Sequence, residues 1–257
     1  IKNSIYLYIR LIVVAFIGLL NSRFVLKAIG ASDYGLYNVV GGVVTLMTFI
    51  NTVMVSTTYR YIAVEQGKIN GDVNRIFNIS LVIHLVIVLL VVIAAVTIGQ
   101  YYINNYLKVP NGKLSDALFV FWVSLFNTIC IIVATPYQGF LIANEKFNIT
   151  IPIELGTKAL NLILVIILNY LSGNRLRIYV VFVTIVHMLN PIMYISYCYR
   201  KYYDTVKWKF QKEFSKYKEM LGYSSWIMLG AASSVGESQG SALIINRFFG
   251  TILNASF

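Results

Sequence analysis

The chain has 257 residues, of which 58% are hydrophobic and only 12% charged, with a mean hydropathy of +0.72. Soluble domains carry about 25% charged residues, and apolar runs of the roughly 20 residues needed to cross a bilayer recur along the whole length. An ordinary soluble domain is thereby excluded, and the net charge of +11 reads as basic loops at an anionic membrane face rather than as a nucleic-acid surface.

The prediction is an all-α integral membrane protein; strands of a transmembrane barrel would alternate polar and apolar, and these runs do not. Seven spans are expected, at about 5–28, 39–63, 78–99, 117–141, 151–171, 178–199 and 221–246. The first carries Asn3, Tyr6, Arg10 and Asn21 on one side, and Arg10 either snorkels or faces the interior. The stretch NSRFVLKAIGASDYGLYNVVGG (21–42) then reads as a tight turn. Gly30 and Gly35 permit the reversal, Asp33 caps the start of the second helix, and Arg23 and Lys27 sit at headgroup level.

In the second span Gly41, Thr45, Thr48, Thr52, Ser56 and Arg60 recur at steps of three and four. Such a stripe of small and hydroxyl residues favours close helix packing, and Arg60 at its end can snorkel. His84 stands alone among Leu, Val and Ile in the third span and reads as a packing residue. The fifth span is the most informative. Glu154, Thr157, Lys158, Asn161 and Asn169 share one face, and Glu154 lies four residues before Lys158, the better orientation for a helical ion pair. Each charge in hydrocarbon costs roughly 2.5–3.5 kcal/mol, so this face must meet protein or a hydrated cavity.

In the sixth span His187 shares a face with Thr184, Asn190, Pro191 and Tyr194. The basic, aromatic segment 200–220 comes next, as a loop. The seventh span aligns Trp226, Gly230, Ser233, Ser234, Glu237 and Ser241, with Glu237 as its interior carboxylate. The Lys and Arg residues crowd towards 64–77, 142–150 and 200–220, which predicts that these connections, and the N-terminus, are cytoplasmic, with 29–38, 100–116 and 172–177 outside. A cleavable signal peptide is not expected, the chain start without Met reads as trimmed, and Cys130 and Cys198 read as packing residues rather than a disulfide.

Aligning Gly30 with Gly250 sets Lys27-Ala28-Ile29-Gly30 over Arg247-Phe248-Phe249-Gly250, so the seventh span can be read as opening a second copy of the first six. No Ser/His/Asp arrangement, metal-ligand cluster or phosphate-binding Gly-rich loop is present in the sequence, so no enzyme, metal or cofactor is expected.

Two stretches carry a family resemblance. Arg23, Val25-Leu26, Ile29-Gly30 and Asp33-Tyr34-Gly35 resemble the first loop of bacterial Wzx-type polysaccharide flippases of the multidrug/oligosaccharidyl-lipid/polysaccharide exporter superfamily. TPYQGFLIANEKF (135–147) is similar to that family's segment before a cytoplasmic turn. The resemblance implies a six-helix bundle over 1–199, a basic inter-bundle loop over 200–220, and the first helix of a second, pseudo-repeated bundle over 221–257. It also implies alternating-access transport of a polyprenyl-diphosphate-linked oligosaccharide across the bacterial cytoplasmic membrane, for surface polysaccharide synthesis. The partners would be that lipid-linked oligosaccharide, membrane lipids and a coupling H⁺ or Na⁺. Candidate cavity residues are Arg10, Asn21, Arg60, Glu154, Lys158, Asn161, His187 and Glu237. Two alternatives are a cation-coupled antiporter of the same superfamily, which would use Glu154 and Glu237, and, less favoured, a membrane-embedded polysaccharide polymerase or ligase.

Overall fold

The structure, a computed structural model, describes residues 2–249, and within them the side chains other than those of 2–10, 43–50, 52, 234–236, 238 and 239. Among the described residues every regular element is a helix: α1 (Lys2–Gln66), α2 (Val73–Ala94), a π-helical turn (Ala95–Gly99), α3 (Gln100–Asn105), α4 (Leu114–Ala143), α5 (Phe147–Leu168), α6 (Arg175–Lys201), α7 (Tyr203–Val206) and α8 (Phe214–Phe249). Five helical stretches are long and apolar enough to cross a membrane: Leu11–Gly42, Val73–Asn105, Leu114–Ala143, Phe147–Leu168 and Arg175–Lys201. Their outward residues, among them Leu19, Leu89, Leu90, Ile98, Ile163 and Ile185, are exposed, as a hydrocarbon-facing surface requires and a water-facing one does not.

α1 is two limbs meeting at Gly30, whose φ of 81° and ψ of 163° only a residue without Cβ adopts freely. The connection expected over 29–38 therefore reduces to that one residue. Asp33 lies in the first helical turn after the break, and its carboxylate accepts from Lys113 Nζ at 3.0 Å. α2 starts at Asp72, whose side chain accepts from the Arg75 N–H, and α6 starts at Asn174, which does the same for Arg177. These caps extend the helices beyond the apolar spans. The predicted loop 200–220 is likewise mostly helix, with Tyr202 and 207–213 outside the helices before α8 begins at Phe214. Of the proposed repeat, Gly250 and the residues after it lie outside the described ones.

Long-range contacts fix the directions. The second limb of α1 runs alongside α4 in the same sense, from Asp33 beside Lys113 to Gln66 beside Asn144. The first limb runs with α5 towards Gly30: Asn21 meets Asn161, and the Ala28 carbonyl accepts from Arg175. α8 packs on the second limb through Ser224 and Thr57 and reaches Lys108 with Asn246. The connections 67–72, 144–146 and 202–213 thus gather at one end, here the Glu65 end. Gly30, 106–113 and 169–174 gather at the other, the Gly30 end. They are the two groups that the charge pattern separates.

The apolar core is split between these ends. One cluster centres on Leu36, Val39, Val120, Phe121, Leu168 and Val180, a second on Ile62, Phe77, Phe140, Leu141 and Cys198, and a smaller third on Met54, Ile79, Ile83 and Met220. On α4 the first reaches Ile132 and the second starts at Tyr137. Cys130 and Cys198 are both free thiols.

Candidate functional site

Alongside these apolar clusters the bundle holds polar space. On α4, Ser124, Asn127, Thr128, Ile131, Ala134 and Gln138 recur at steps of three and four and so share one face. On α6, Val180, Thr184, His187, Pro191 and Tyr194 follow the same spacing on the facing side. Two adjoining cavities result. One, of about 280 Å³, is lined by Gln138, Glu154, Lys158, His187, Asn190 and Tyr194, among others. The other, of about 230 Å³, is lined by Tyr37, Gly41, Ser124, Asn127, Thr128 and Thr184. Ile131 and His187 line both.

The chemistry of the two spaces differs. Apart from the shared His187, the second is walled by hydroxyls, an amide, apolar side chains and the Tyr37 ring, with no carboxylate or ammonium among its described residues. The first contains a carboxylate and an ammonium one helical turn apart on α5. His187 joins them, its Nδ1 3.4 Å from Asn127 Nδ2. The Thr157 hydroxyl lies 2.5 Å from Asn190 Oδ1 and 2.8 Å from the Ile153 carbonyl. Pro191 has no N–H to give the carbonyl of His187, four residues earlier, so a further acceptor is freed beside the cavity. Two more amide oxygens, Asn127 Oδ1 and Asn161 Oδ1, are buried without a hydrogen-bond partner among the described residues. Asn127 lines the second cavity and gives it a spare acceptor, whereas Asn161 lines neither cavity.

Of the residues singled out in the sequence, Glu154, Lys158 and His187 come together in one cavity. Asn161 sits one turn along α5 and donates to Asn21 Oδ1 at 3.5 Å, tying α5 to the first limb of α1. The ion pair expected between Glu154 and Lys158 is not among the described ones, and Glu154 has an interaction of its own. Arg60 is exposed at the Glu65 end, its guanidinium 4.3 Å above the Tyr223 ring, and lines neither cavity. Glu237 is exposed on α8 and also lines neither. The side chains of Arg10, Thr45, Thr48 and Thr52 lie outside the described residues. Asn169 donates to the Val165 carbonyl at 3.1 Å at the end of α5, rather than joining the cavity face. His84 is buried, with Nδ1 2.6 Å from the Ser80 carbonyl.

Ser124, Asn127, Thr128 and Gln138 were missed by sequence reading, although their spacing is itself the signal. A polar residue at nearly every inward turn of an otherwise apolar helix marks an interior face.

Outside the cavities, charge collects at the two ends. At the Glu65 end, Glu65 is 2% exposed and accepts from Lys68 Nζ at 2.6 Å, Arg75 Nη2 at 2.7 Å and the Asp72 N–H at 3.2 Å. Burial pushes the Glu65 carboxyl up, but the Lys68, Asp72 and Arg75 donors together outweigh it and hold the group below the usual carboxylate range. Arg75 also reaches Glu213 at 3.1 Å, so the start of α8 is tied to the α1–α2 turn. Asn78 adds a clasp on the 207–213 segment, accepting from the Lys209 N–H at 3.0 Å and donating to the Lys207 carbonyl at 3.1 Å. At the Gly30 end, Asp116 accepts from Arg177 Nε at 2.6 Å and Asn174 Nδ2 at 2.9 Å, with Lys113 at 3.6 Å. The hydrogen bond to Asp33, with burial opposing it, raises the Lys113 ammonium pKa.

Helices of spanning length around a polar, partly charged interior define a helical protein of the multi-pass membrane type. No protein-family model, curated protein or solved structure matches the chain.

Proposed function

We propose that the chain is the N-terminal part of a flippase carrying a polyprenyl-diphosphate-linked oligosaccharide across the bacterial cytoplasmic membrane. The two limbs of α1 with α2, α4, α5 and α6 would form one bundle, with α8 opening a second. The observation that carries this reading is the position of Lys158, in a polar cavity with Glu154 and His187, inside helices of membrane-spanning length. An ammonium in that setting is costly and marks a cargo path more often than a structural need. A diphosphate supplies the matching anion and a glycan the hydroxyls for the adjoining hydroxyl-lined space. The resemblance of 23–35 and 135–147 to the flippase turns supports the same cargo.

The test is translocation of the lipid-linked oligosaccharide by the full-length protein. Lys158→Gln is expected to lose transport at normal membrane abundance, and Lys158→Arg to keep part of it because the charge persists in a different geometry. Wild-type transport by Lys158→Gln combined with Arg10→Gln would overturn the cationic role of this half.

A second reading, a cation-coupled antiporter, is supported by the Glu154 carboxylate in the same cavity. It requires that Glu154→Gln abolish Na⁺- or H⁺-driven efflux, and that the wild type translocate no lipid-linked oligosaccharide.

A further inference from the structure

At the Gly30 end an open cleft of about 500 Å³ lies between the two limbs of α1, the 106–113 connection and the start of α6. Lys27, Lys113 and Arg175 line it, with Asp33 as the one carboxylate among its lining residues. Gly30 and Gly173 contribute wall without a side chain. The three cations come from three separate elements, and two of them are fixed in place. Arg175 donates from Nε to the Leu171 carbonyl at 3.1 Å, from Nη1 to Ala28 at 3.3 Å and from Nη2 to Asn169 at 3.5 Å. Lys113 is held by Asp33 at 3.0 Å and Asp116 at 3.6 Å. Lys27 is exposed and has no hydrogen bond or ion pair among the described residues. The neighbouring Asp116 is matched by Arg177 at 2.6 Å and does not cancel the excess.

We propose that this cleft binds a phosphate group. Arg175 has five N–H donors and uses three on carbonyls, which leaves donors for a phosphate oxygen. Lys27 is the mobile ammonium that completes the contact, and Lys113 supplies a positioned charge. Charge-assisted bonds from a guanidinium and an ammonium are the strong ones for phosphate. Because Arg175 and Lys113 are already held by other partners, binding orders little beyond the Lys27 side chain. The cleft lies where the long apolar helices end, within reach of a phospholipid headgroup; inorganic phosphate offers the same chemistry. The inference does not depend on the transport reading, since it concerns one end of the bundle and not the interior cavity.

The experiment uses the full chain in two arms. In the first, the protein is placed in phosphatidylcholine nanodiscs containing a minor fraction of phosphatidylglycerol, and the lipids retained on it are measured by native mass spectrometry. In the second, inorganic phosphate is titrated against the detergent-solubilised protein and the unfolding midpoint is followed. Selective retention of phosphatidylglycerol without a response to inorganic phosphate assigns the cleft to a lipid headgroup; a saturable rise in midpoint with phosphate assigns it to the free ion. In either case Lys27→Gln is expected to weaken binding about fivefold, the effect of one basic residue at an anionic surface, and Lys27→Arg to restore it. Lys27 is exposed, so the fold of both variants is preserved and is checked by their unfolding midpoints in phosphatidylcholine alone. Equal binding by wild type and Lys27→Gln, or no binding in either arm, overturns the proposal.

Discussion

The two ends of the bundle use the same residue types to opposite effect. At the Glu65 end a carboxylate that is 2% exposed is enclosed by Lys68, Arg75 and a backbone N–H, and Arg75 carries a second acid, Glu213. Acids and bases balance, and the cluster closes a turn and binds α8 to it. At the Gly30 end the acids are more open, with Asp33 18% and Asp116 9% exposed, and the cations exceed them. Burial with balanced charge gives a lock. Partial exposure with surplus charge leaves a site.

The largest expected effect breaks the lock. Arg75→Gln leaves Glu65 buried with Lys68 as its remaining cation. A fully buried pair broken in this way costs about 3–5 kcal/mol. Arg75 is 31% exposed, so solvent screening reduces the expected loss to about 2–3 kcal/mol. Unfolding in mild detergent measures it. The same contact sets a pH dependence. The folded Glu65 carboxyl titrates below its ordinary value of about 4.3, so its stabilisation is present above that pH and lost as pH falls through the lower folded value. Glu65→Gln should remove that acid-side loss and flatten the stability profile there; an unchanged profile would show that the cluster does not couple to folding.

A packing change should loosen the same end by less. A Cβ at Gly139 would lie 2.8 Å from Thr58 Cγ2, 2.9 Å from Thr58 Cβ and 3.3 Å from the Tyr59 backbone nitrogen, so α4 and the second limb of α1 would have to separate. Gly139→Ala is expected to cost about 2 kcal/mol, within the range of overpacked cores. Thr58→Ala in the same chain should recover little of it, because it removes Cγ2 but keeps the Cβ contact at 2.9 Å and gives up the Thr58–Ser80 hydroxyl hydrogen bond. The smallest effect belongs to the open end. Arg177→Gln leaves Asp116 with Asn174 and Lys113, and Arg177 is 39% exposed, so about 1 kcal/mol or less is expected. A loss as large as that of Arg75→Gln would erase the distinction between the two ends.

Much of the helical layout could be read from the sequence because apolar runs and basic connections alternate. Polar residues continue several helices past the apolar runs that mark them in the sequence. Arg75 and Asn74 belong to α2, Asp33 to the second limb of α1, and Phe214–Met220 to α8, since caps and ion pairs satisfy these groups without ending the helix. In the site, Glu154, Lys158 and His187 stood out because charge is rare in such spans. Ser124, Asn127 and Gln138 are neutral and spread over four turns, so only their spacing could have revealed them. Arg60 and Glu237 attracted attention by charge alone, and charge does not say whether a residue at a helix end or on α8 faces inward.

The π-helical turn at Ala95–Gly99 has its own consequence. Val91, Ala95, Gly99 and Ile103 are all buried, although they are spaced by four. In a continuous α-helix three such steps would rotate Ile103 about 120° away from Val91, nearly to the opposite side. The widened turn absorbs one extra residue, worth about 100° of rotation, and brings Ile103 back onto the core face. The stretch thus behaves as a helix with a single residue inserted and accommodated. Deleting one residue between Ala95 and Gly99 would restore regular winding, keep the segment's apolar composition, and leave the inward face of α3 in register.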